Sequence, residues 1–251
     1  MRKIVSLLVL VLLFISSTVN AQVKSNEKLV YAGSYNMSGL MTQLAQITMS
    51  TNTMTTSKNS YLHLSCELAT YGKWDKFFKI RDLYESYVNP ATLMPSLYKR
   101  SVDEGGWLKK EKYVIKGTVV NCTSQRKNNP EIKTTFSIGA STQDVVSMLY
   151  KVRTVDFSKM TIGQTKSFTI VFDEVQVPVV IKFMGAETVN AGNLGEKKCY
   201  KISIDAKTNV LKGKDKNLIW LTADENKIPA LMKFSIPVGT GQLTLTSATG
   251  I

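Results

Sequence analysis

The side chains that most often serve nucleophilic catalysis or metal binding are scarce in this sequence. Its 251 residues include one histidine, His63, which alternates with Leu62 and Leu64 and is therefore expected on the outer side of a strand as a surface residue. There is no second histidine, the spacing of the cysteines matches no metal-binding motif, and Gly105 with Gly106 is too short for a phosphate-binding loop. We therefore expect neither a metal site nor a cofactor site.

Two pairs of adjacent acids are the remaining candidates for acid–base chemistry. Paired carboxylates hydrolyse glycosidic bonds, so Asp103 with Glu104, and Asp224 with Glu225, raise the hypothesis of a carbohydrate-active enzyme. Both pairs lie in polar segments that are typical of surface turns. We expect them to be turn residues, assign no catalytic residue and predict a protein that is not an enzyme.

The three cysteines, Cys66, Cys122 and Cys199, form no metal-binding or redox motif. Cys66 and Cys122 each share the alternation of neighbouring apolar residues and are expected to face a core. A disulfide between these two is one alternative, since an exported protein meets oxidising conditions. We favour free thiols that pack as small apolar side chains.

Alternation of apolar and polar residues is the dominant pattern along the chain and predicts half-buried antiparallel strands. It is clearest in residues 62–68, 168–172, 175–183, 200–204 and 230–238. Polar segments rich in Gly, Asn or Asp separate such runs, at 103–106, 126–130, 190–193 and 224–227. Residues 218–221 are apolar throughout and are expected to be covered on both faces. The predicted fold is mainly β: an antiparallel β-barrel or half-barrel with one short helix packed on the sheet.

The predicted helix spans residues 141–153. Ser141 is the expected N-cap, and Asp144 places a negative charge in the first turn. Val145, Met148 and Leu149 begin a broad apolar stripe that should lie against the sheet. Residues 76–88 fit either a helix or a strand, and we favour the strand.

The N-terminus has the three parts of a secretory leader. Arg2 and Lys3 precede a run of about 12 mostly apolar residues, too short for a bilayer span of roughly 20. Residues 19–21 follow as a cleavage site, so we expect residues 1–21 to be a signal peptide and residues 22–251 a single β-rich domain. No cysteine lies at the cleavage point, and no later segment is apolar enough to span. The mature protein is expected to be soluble, periplasmic or secreted, and not a lipoprotein.

The formal net charge of +13 favours an anionic partner. An exported protein rarely meets nucleic acid, so we expect an anionic amphiphile or another envelope component. The alternative is a solvated basic surface, because the lysines are spread along the chain.

Five segments, taken in order, resemble one family. They are residues 79–88, 95–100, 142–153, 198–202 and 219–230. Together they resemble the bacterial exported family called domain of unknown function 3108, over residues 27–245. The resemblance implies an envelope location and a β-rich fold, and it brings no catalytic residues. Agreement is weakest in residues 39–60.

Charged residues within these segments have structural interpretations. Arg81, Asp82, Asp144 and Arg153 are candidates for buried ion pairs that fix the helix on the sheet, and Trp220 is a candidate core residue.

The leading functional hypothesis is a non-enzymatic envelope protein that binds a lipid-like or amphiphilic ligand in a sheet cavity. A wide apolar helix face, 10 methionines and the basic charge predict that this ligand lies between the helix and the concave sheet. The alternatives are a structural or assembly factor that contacts protein or polysaccharide, and a carbohydrate-active enzyme.

Overall fold

The computed structural model describes residues 23–37, 39–57, 59–206, 217–236 and 239–251. The expected leader, residues 1–21, lies outside the described residues, as does Val238 at the end of one predicted strand. Among the described residues, no helix combines the length and the apolar character needed to cross a lipid bilayer.

The described part of the chain forms one antiparallel sheet of fourteen strands, with the order β8-β7-β6-β5-β4-β3-β2-β1-β14-β13-β12-β11-β10-β9. Successive strands are neighbours except β8 and β9, which form the two edges of the sheet, and the first strand pairs with the last. The first eight strands are β1 Lys28–Met37, β2 Leu40–Thr55, β3 Ser60–Thr70, β4 Arg81–Val88, β5 Pro95–Glu104, β6 Trp107–Lys116, β7 Val119–Arg126 and β8 Ile132–Ser137. After helix α1, Val145–Arg153, come β9 Thr165–Phe172, β10 Val175–Asn190, β11 Glu196–Ala206, β12 Leu218–Thr222, β13 Pro229–Ile236 and β14 Gly239–Thr249. The predicted mainly β, antiparallel fold with one short helix is confirmed.

The alternation in the sequence gives the sheet one buried face, which we call the inner face. Leu29, Leu64 and Val88 are fully buried on it. Trp220 and its neighbours in β12 are buried as predicted. The segment 103–106 forms a tight hairpin in which Gly105 and Gly106 both have positive φ, which glycine adopts without strain.

Helix α1 is shorter than predicted, and its N-cap is Asp144, not Ser141. Gln143 is the reason, because its backbone is extended and pairs with β9 through Thr169 and Val171. The four residues before Val145 therefore cannot continue the helix. Asp144 accepts hydrogen bonds from the amides of Val146 and Ser147, while the Ser147 hydroxyl accepts from the Asp144 amide.

The ambiguous segment 76–88 divides into two parts. The strand that we favoured begins at Arg81. Residues 71–80 before it form a compact loop in which the amides of Phe77 and Phe78 both bond to the Trp74 carbonyl.

The two ends of the sheet differ, which decides where a site can form. At one end, α1 lies across the inner face: Arg153 bonds to Glu27 before β1, and Lys151 bonds to the Thr92 carbonyl in the β4–β5 connection. We call this the helix end. The β1–β2 and β13–β14 hairpins and the 71–80 loop lie at the opposite end, which we call the pocket end.

The β9–β10 turn brings the far strands of the sheet together. Asp173 in this turn pairs with Arg100 of β5. The next residue, Glu174, accepts a bond from Thr134 of β8 at 2.7 Å, and its amide donates to the Tyr113 hydroxyl of β6 at 3.0 Å. The open sheet therefore curls until β10 meets β5 to β8.

Candidate functional site

His63 lies on the outer face, where the sequence predicts it, and is partly buried by two neighbours. Its ring stacks on Tyr87 with 4.5 Å between the centroids, and its Nε2 is 2.9 Å from the Glu85 carboxylate. In the described part of the chain no cluster of three or more His, Cys, Asp or Glu residues is arranged to hold a metal ion.

The two acidic pairs have the turn roles that the sequence predicts. Asp224 accepts hydrogen bonds from the Thr222 hydroxyl and from the Asn226 and Lys227 amides, at 2.8, 3.0 and 3.1 Å. Asp103 accepts from the Gly106 amide in the same way. The Asp103 and Asp224 carboxylates therefore stabilise the turns in which they lie.

All three cysteines are free thiols, as favoured from the sequence. Burial raises the pKa of Cys66 to about 12 and those of Cys122 and Cys199 to about 11. A thiol that stays protonated is a poor nucleophile and a poor metal ligand. The cysteines therefore act as packing residues.

One of the four charged candidates forms the expected buried ion pair. Arg153 makes a two-pronged contact with Glu27, with distances of 2.8 and 2.7 Å from its two terminal nitrogens to the two carboxylate oxygens. Both side chains are buried, and the pair fixes the end of α1 to the start of β1. The partner of Asp144 is different: its carboxylate accepts from the Ser86 hydroxyl of β4 and from the helix amides.

Arg81 and Asp82 do not pair with each other or with the helix. Arg81 pairs with Asp75 in the 71–80 loop at 2.5 Å. Asp82 is buried and accepts a bond from the Asp103 amide. Alternation explains the difference, because adjacent strand residues point to opposite faces.

An apolar pocket at the pocket end of the inner face is the candidate binding site. Its volume is about 640 Å³, within the 300–1,000 Å³ range of small-molecule sites. Sixteen residues line it: Gly33, Ser34, Tyr35, Leu44, Ala45, Ile47, Cys66, Leu68, Thr70, Trp74, Phe77, Phe78, Ile80, Tyr84, Phe234 and Leu243. They come from strands β1 to β3, β4, β13 and β14 and from the 71–80 loop.

Small residues lie at the floor of this hollow. Gly33 of β1 is directly opposite Ala45 of β2, and the Ile47 side chain packs against the Gly33 backbone. The register between these strands shifts after Gly33, leaving Leu44 without an opposite residue, so that Leu44 and Ala45 both line the pocket. A β-bulge of this kind redirects side chains and bends the strand.

The 71–80 loop forms the outer wall and is firmly attached. The Trp74 indole nitrogen donates to the Gln43 carbonyl at 2.9 Å, and the Tyr71 amide donates to the Leu44 carbonyl. The Thr70 hydroxyl donates to Asp75 at 2.6 Å and accepts from the Ile80 amide at 3.1 Å. The aromatic wall is therefore held in place without closing over the pocket.

The pocket is not where the sequence places the ligand. No residue of α1 lines it, and Val146, Met148 and Tyr150 of the helix are buried in the core. These helix side chains pack in the core cluster, so the pocket lies elsewhere than the expected space between helix and sheet. None of the lining residues is a methionine, so the methionine content does not point to the site either.

The sequence carries a partial signal for this pocket. The pattern of Trp74, Phe77 and Phe78 among lysines is unusual for a surface loop and marks the wall. The floor has no local signal in the sequence. Gly33 and Ala45 are far apart along the chain and come together only when β1 and β2 pair.

Comparison with known proteins agrees with the resemblance found in the sequence. The profile of a family described as "Protein of unknown function (DUF3108)" matches residues 31–246. A search of the curated proteins finds no match.

The solved structures that are similar to this chain include the following three. A β-barrel-like protein of domain of unknown function DUF1849 from Brucella abortus aligns with a TM-score of 0.60 at 8% identity, over 90% of this chain and 97% of that chain. A candidate lipoprotein from Parabacteroides distasonis aligns with a TM-score of 0.33 at 11% identity, over 91% and 96%. A candidate exported protein with a YmcC-like fold from Bacteroides fragilis aligns with a TM-score of 0.33 at 8% identity, over 90% and 96%. At 8% identity, the likeness to the Brucella protein concerns the fold alone.

Proposed function

The chain belongs to the DUF3108 family of proteins of unknown function, and we propose that it binds the apolar part of a lipid-like amphiphile in the pocket between β1–β4, β13 and β14. The observation that carries this proposal is a hollow of about 640 Å³ with almost entirely apolar walls. Interiors normally pack without such gaps. An apolar ligand would recover the dispersion contacts and the burial that the walls otherwise lack.

The surroundings of the pocket favour an amphiphile over a wholly apolar ligand. Lys73 and Lys76 are exposed in the loop that forms the outer wall. An apolar chain in the pocket would leave its head group beside these ammonium groups. We propose an anionic head group for this reason.

The polar groups in the wall favour binding over catalysis. The Thr70 hydroxyl is occupied by Asp75 and Ile80. Burial raises the pKa of the Tyr84 hydroxyl far above its usual value and that of the Cys66 thiol to about 12, so both stay neutral. Neutral, occupied groups can orient a ligand but are poor acids, bases and nucleophiles.

We also propose that the protein acts in the bacterial cell envelope after cleavage of residues 1–21. The leader-like N-terminus supports this, and it fits a binding partner drawn from envelope lipids.

Filling the pocket tests the proposal. Ala45→Leu adds an apolar side chain at the floor, and it should abolish binding of the fluorescent fatty acid cis-parinaric acid. Trp74 lines the pocket, so energy transfer from tryptophan to the bound probe reports occupancy. Ala45→Leu should also keep or raise the melting temperature, because the added group enters a hollow. In a filled core, the same change would cost about 1–3 kcal/mol.

The matched control is Gln46→Leu, the next residue of β2, which is exposed on the outer face. It should bind the probe like the wild type. Equal binding by Ala45→Leu and the wild type, together with no lipid extracted from protein purified from its host, would reject the pocket as a binding site.

An assembly role through protein contact has one specific observation in its favour. Strand β8 is an edge of the sheet, and Ile132 on it is largely exposed. Unpaired edge strands accept an added strand from a partner. This second candidate would gain support if the pocket test failed.

A further inference from the structure

The rim at the pocket end exposes large apolar side chains to an unusual degree. Phe77 is 82% exposed and Phe78 is 52% exposed at the tip of the 71–80 loop. Leu40, at the β1–β2 hairpin of the same end, is 74% exposed. Single exposed apolar residues are common on proteins, but a cluster at one end marks an interaction site.

Basic side chains surround these apolar groups. Residues 71–81 carry four basic residues and one acidic residue. The acidic one, Asp75, is already paired with Arg81. Lys73 lies over the Trp74 ring at 5.6 Å from its centroid, and Lys76 immediately precedes Phe77. The loop therefore presents aromatic side chains within a positive field.

The acidic neighbours do not cancel this charge. Asp103 and Glu104 lie in the adjoining β5–β6 hairpin, and Asp103 is 3.6 Å from the Lys79 ammonium. Lys73 and Lys76 add further positive charge on the same loop. The net charge of the rim therefore stays positive.

We propose that this rim docks onto the surface of an anionic phospholipid bilayer. Phe77 and Phe78 insert at the boundary between head groups and acyl chains, where aromatic side chains are favoured. Lys73, Lys76 and Lys79 meet the lipid phosphates. Charge complementarity selects a lipid surface over an apolar protein groove, because protein interfaces are depleted in lysine.

The rigid attachment of the loop strengthens the docking. The Trp74–Gln43 hydrogen bond and the Arg81–Asp75 pair fix the loop before it meets the bilayer. Little conformational freedom is then lost on contact. Phe77 and Phe78 also line the pocket, so docking would set the pocket mouth on the lipid surface. The docking itself does not depend on whether the pocket holds a ligand.

Vesicle flotation tests the proposal with protein purified from its host, in the form that it has there. Protein should float with vesicles of phosphatidylcholine and phosphatidylglycerol and not with phosphatidylcholine alone. Binding should weaken at about 1 M salt, where the Debye length is about 3 Å.

Two variants separate the apolar and the charged contributions. Phe77→Ser should weaken binding by about tenfold or more, from the loss of one buried phenyl ring. Replacing Lys73, Lys76 and Lys79 by Gln should weaken it by about fivefold per lysine.

The controls carry equivalent changes at the other end of the molecule. Ile162→Ser removes an apolar side chain that is 74% exposed near the start of β9. Lys28, Lys116 and Lys198 are exposed lysines at strand ends of the helix end, and their change to Gln matches the charge change. Both controls should bind vesicles like the wild type.

Two results would overturn the proposal. One is no flotation of folded wild-type protein with anionic vesicles. The other is equal loss of binding by the rim and control variants, which would indicate a non-specific charge effect. Ala45→Leu should float like the wild type whether or not the pocket binds a ligand. Failure of the docking proposal can therefore be distinguished from failure of the pocket proposal.

Discussion

Asp144 is a buried carboxylate on which the position of α1 depends. It caps the helix, and its second oxygen accepts from Ser86 of β4. Burial raises its pKa from 3.8 to about 6, although the hydrogen bonds from Ser86, Ser147 and Val146 oppose the rise. The folded protein therefore binds this proton more tightly than the unfolded chain does.

The sign of the resulting pH dependence is fixed by this raised pKa. Asp144 contributes stability that is fully present below about pH 4 and is lost as the pH rises through 6. Asp144→Asn keeps a capping side chain without a charge. The unfolding free energy of the wild type minus that of the variant should fall by about 2–3 kcal/mol between pH 4 and pH 7.

Urea unfolding of both proteins across this pH range measures that difference. Asp82, whose pKa burial also raises to about 6, is present in both proteins and cancels. Asp156→Asn is the control, because Asp156 also accepts a capping bond but is exposed and has a lowered pKa. Parallel curves for the wild type and Asp144→Asn would contradict the assignment.

Helix α1 is an element held by packing more than by its own propensity. It has nine residues, fewer than an isolated helix needs in water. Met148, Tyr150 and Val152 are buried, whereas Leu149 is only partly buried. The apolar stripe in the sequence is therefore only partly buried: Met148 anchors the helix in the core, and Leu149 contributes less.

Truncating single helix side chains to alanine should distinguish the buried position from the partly buried one by its larger loss of stability. Met148→Ala should lower the unfolding free energy by about 2–5 kcal/mol, since it leaves a cavity in the core. Leu149→Ala should cost less, because part of that side chain already meets water. Denaturant unfolding of the two variants checks the order, and a larger cost at Leu149 would show that α1 is rotated from the orientation described.

The elements were predictable where a local pattern fixes them. Alternation locates strands such as β10 and β13, and glycine pairs locate the hairpin at Gly105. The start of α1 was not predictable, because Gln143 is held extended by β9, a strand more than twenty residues later. The pocket floor was not predictable either, since Gly33 and Ala45 meet only through strand register.

At the scale of the whole molecule, one turn joins the far strands of the sheet. Asp173 and Glu174 form the β9–β10 turn with φ values of 48° and 64°. Non-glycine residues in this region carry a cost of about 1–2 kcal/mol each. Contacts with β5, β6 and β8 offset that cost, and they join residues that lie 40 to 73 positions apart. No local pattern in the sequence reports such contacts.

The turn joins β9 and β10, whereas the pocket is lined by other strands, so we expect a change in the turn to leave the pocket intact. Asp173→Ala removes the contacts of this carboxylate with Arg100 and Lys109, both of which keep Glu111 as a partner. Because Asp173 is half exposed, the loss should be only about 1–2 kcal/mol of unfolding free energy. Backbone amides of β8 and β9 should exchange hydrogen faster, while those of β1 to β3 keep their protection.

Binding of cis-parinaric acid should be unchanged in Asp173→Ala. None of the pocket-lining residues belongs to strands β5 to β10, and Arg100, which lies opposite the lining residue Tyr84, keeps Glu111 as a partner. Glu187→Ala is the matched control: it removes a half-exposed carboxylate paired with Lys201 of the neighbouring strand, and it leaves the far strands joined. It should leave the exchange of β8 unaltered. Loss of probe binding by Asp173→Ala in a protein that remains folded would show that sheet closure and pocket shape are coupled, so that the pocket end depends on the whole curl of the sheet.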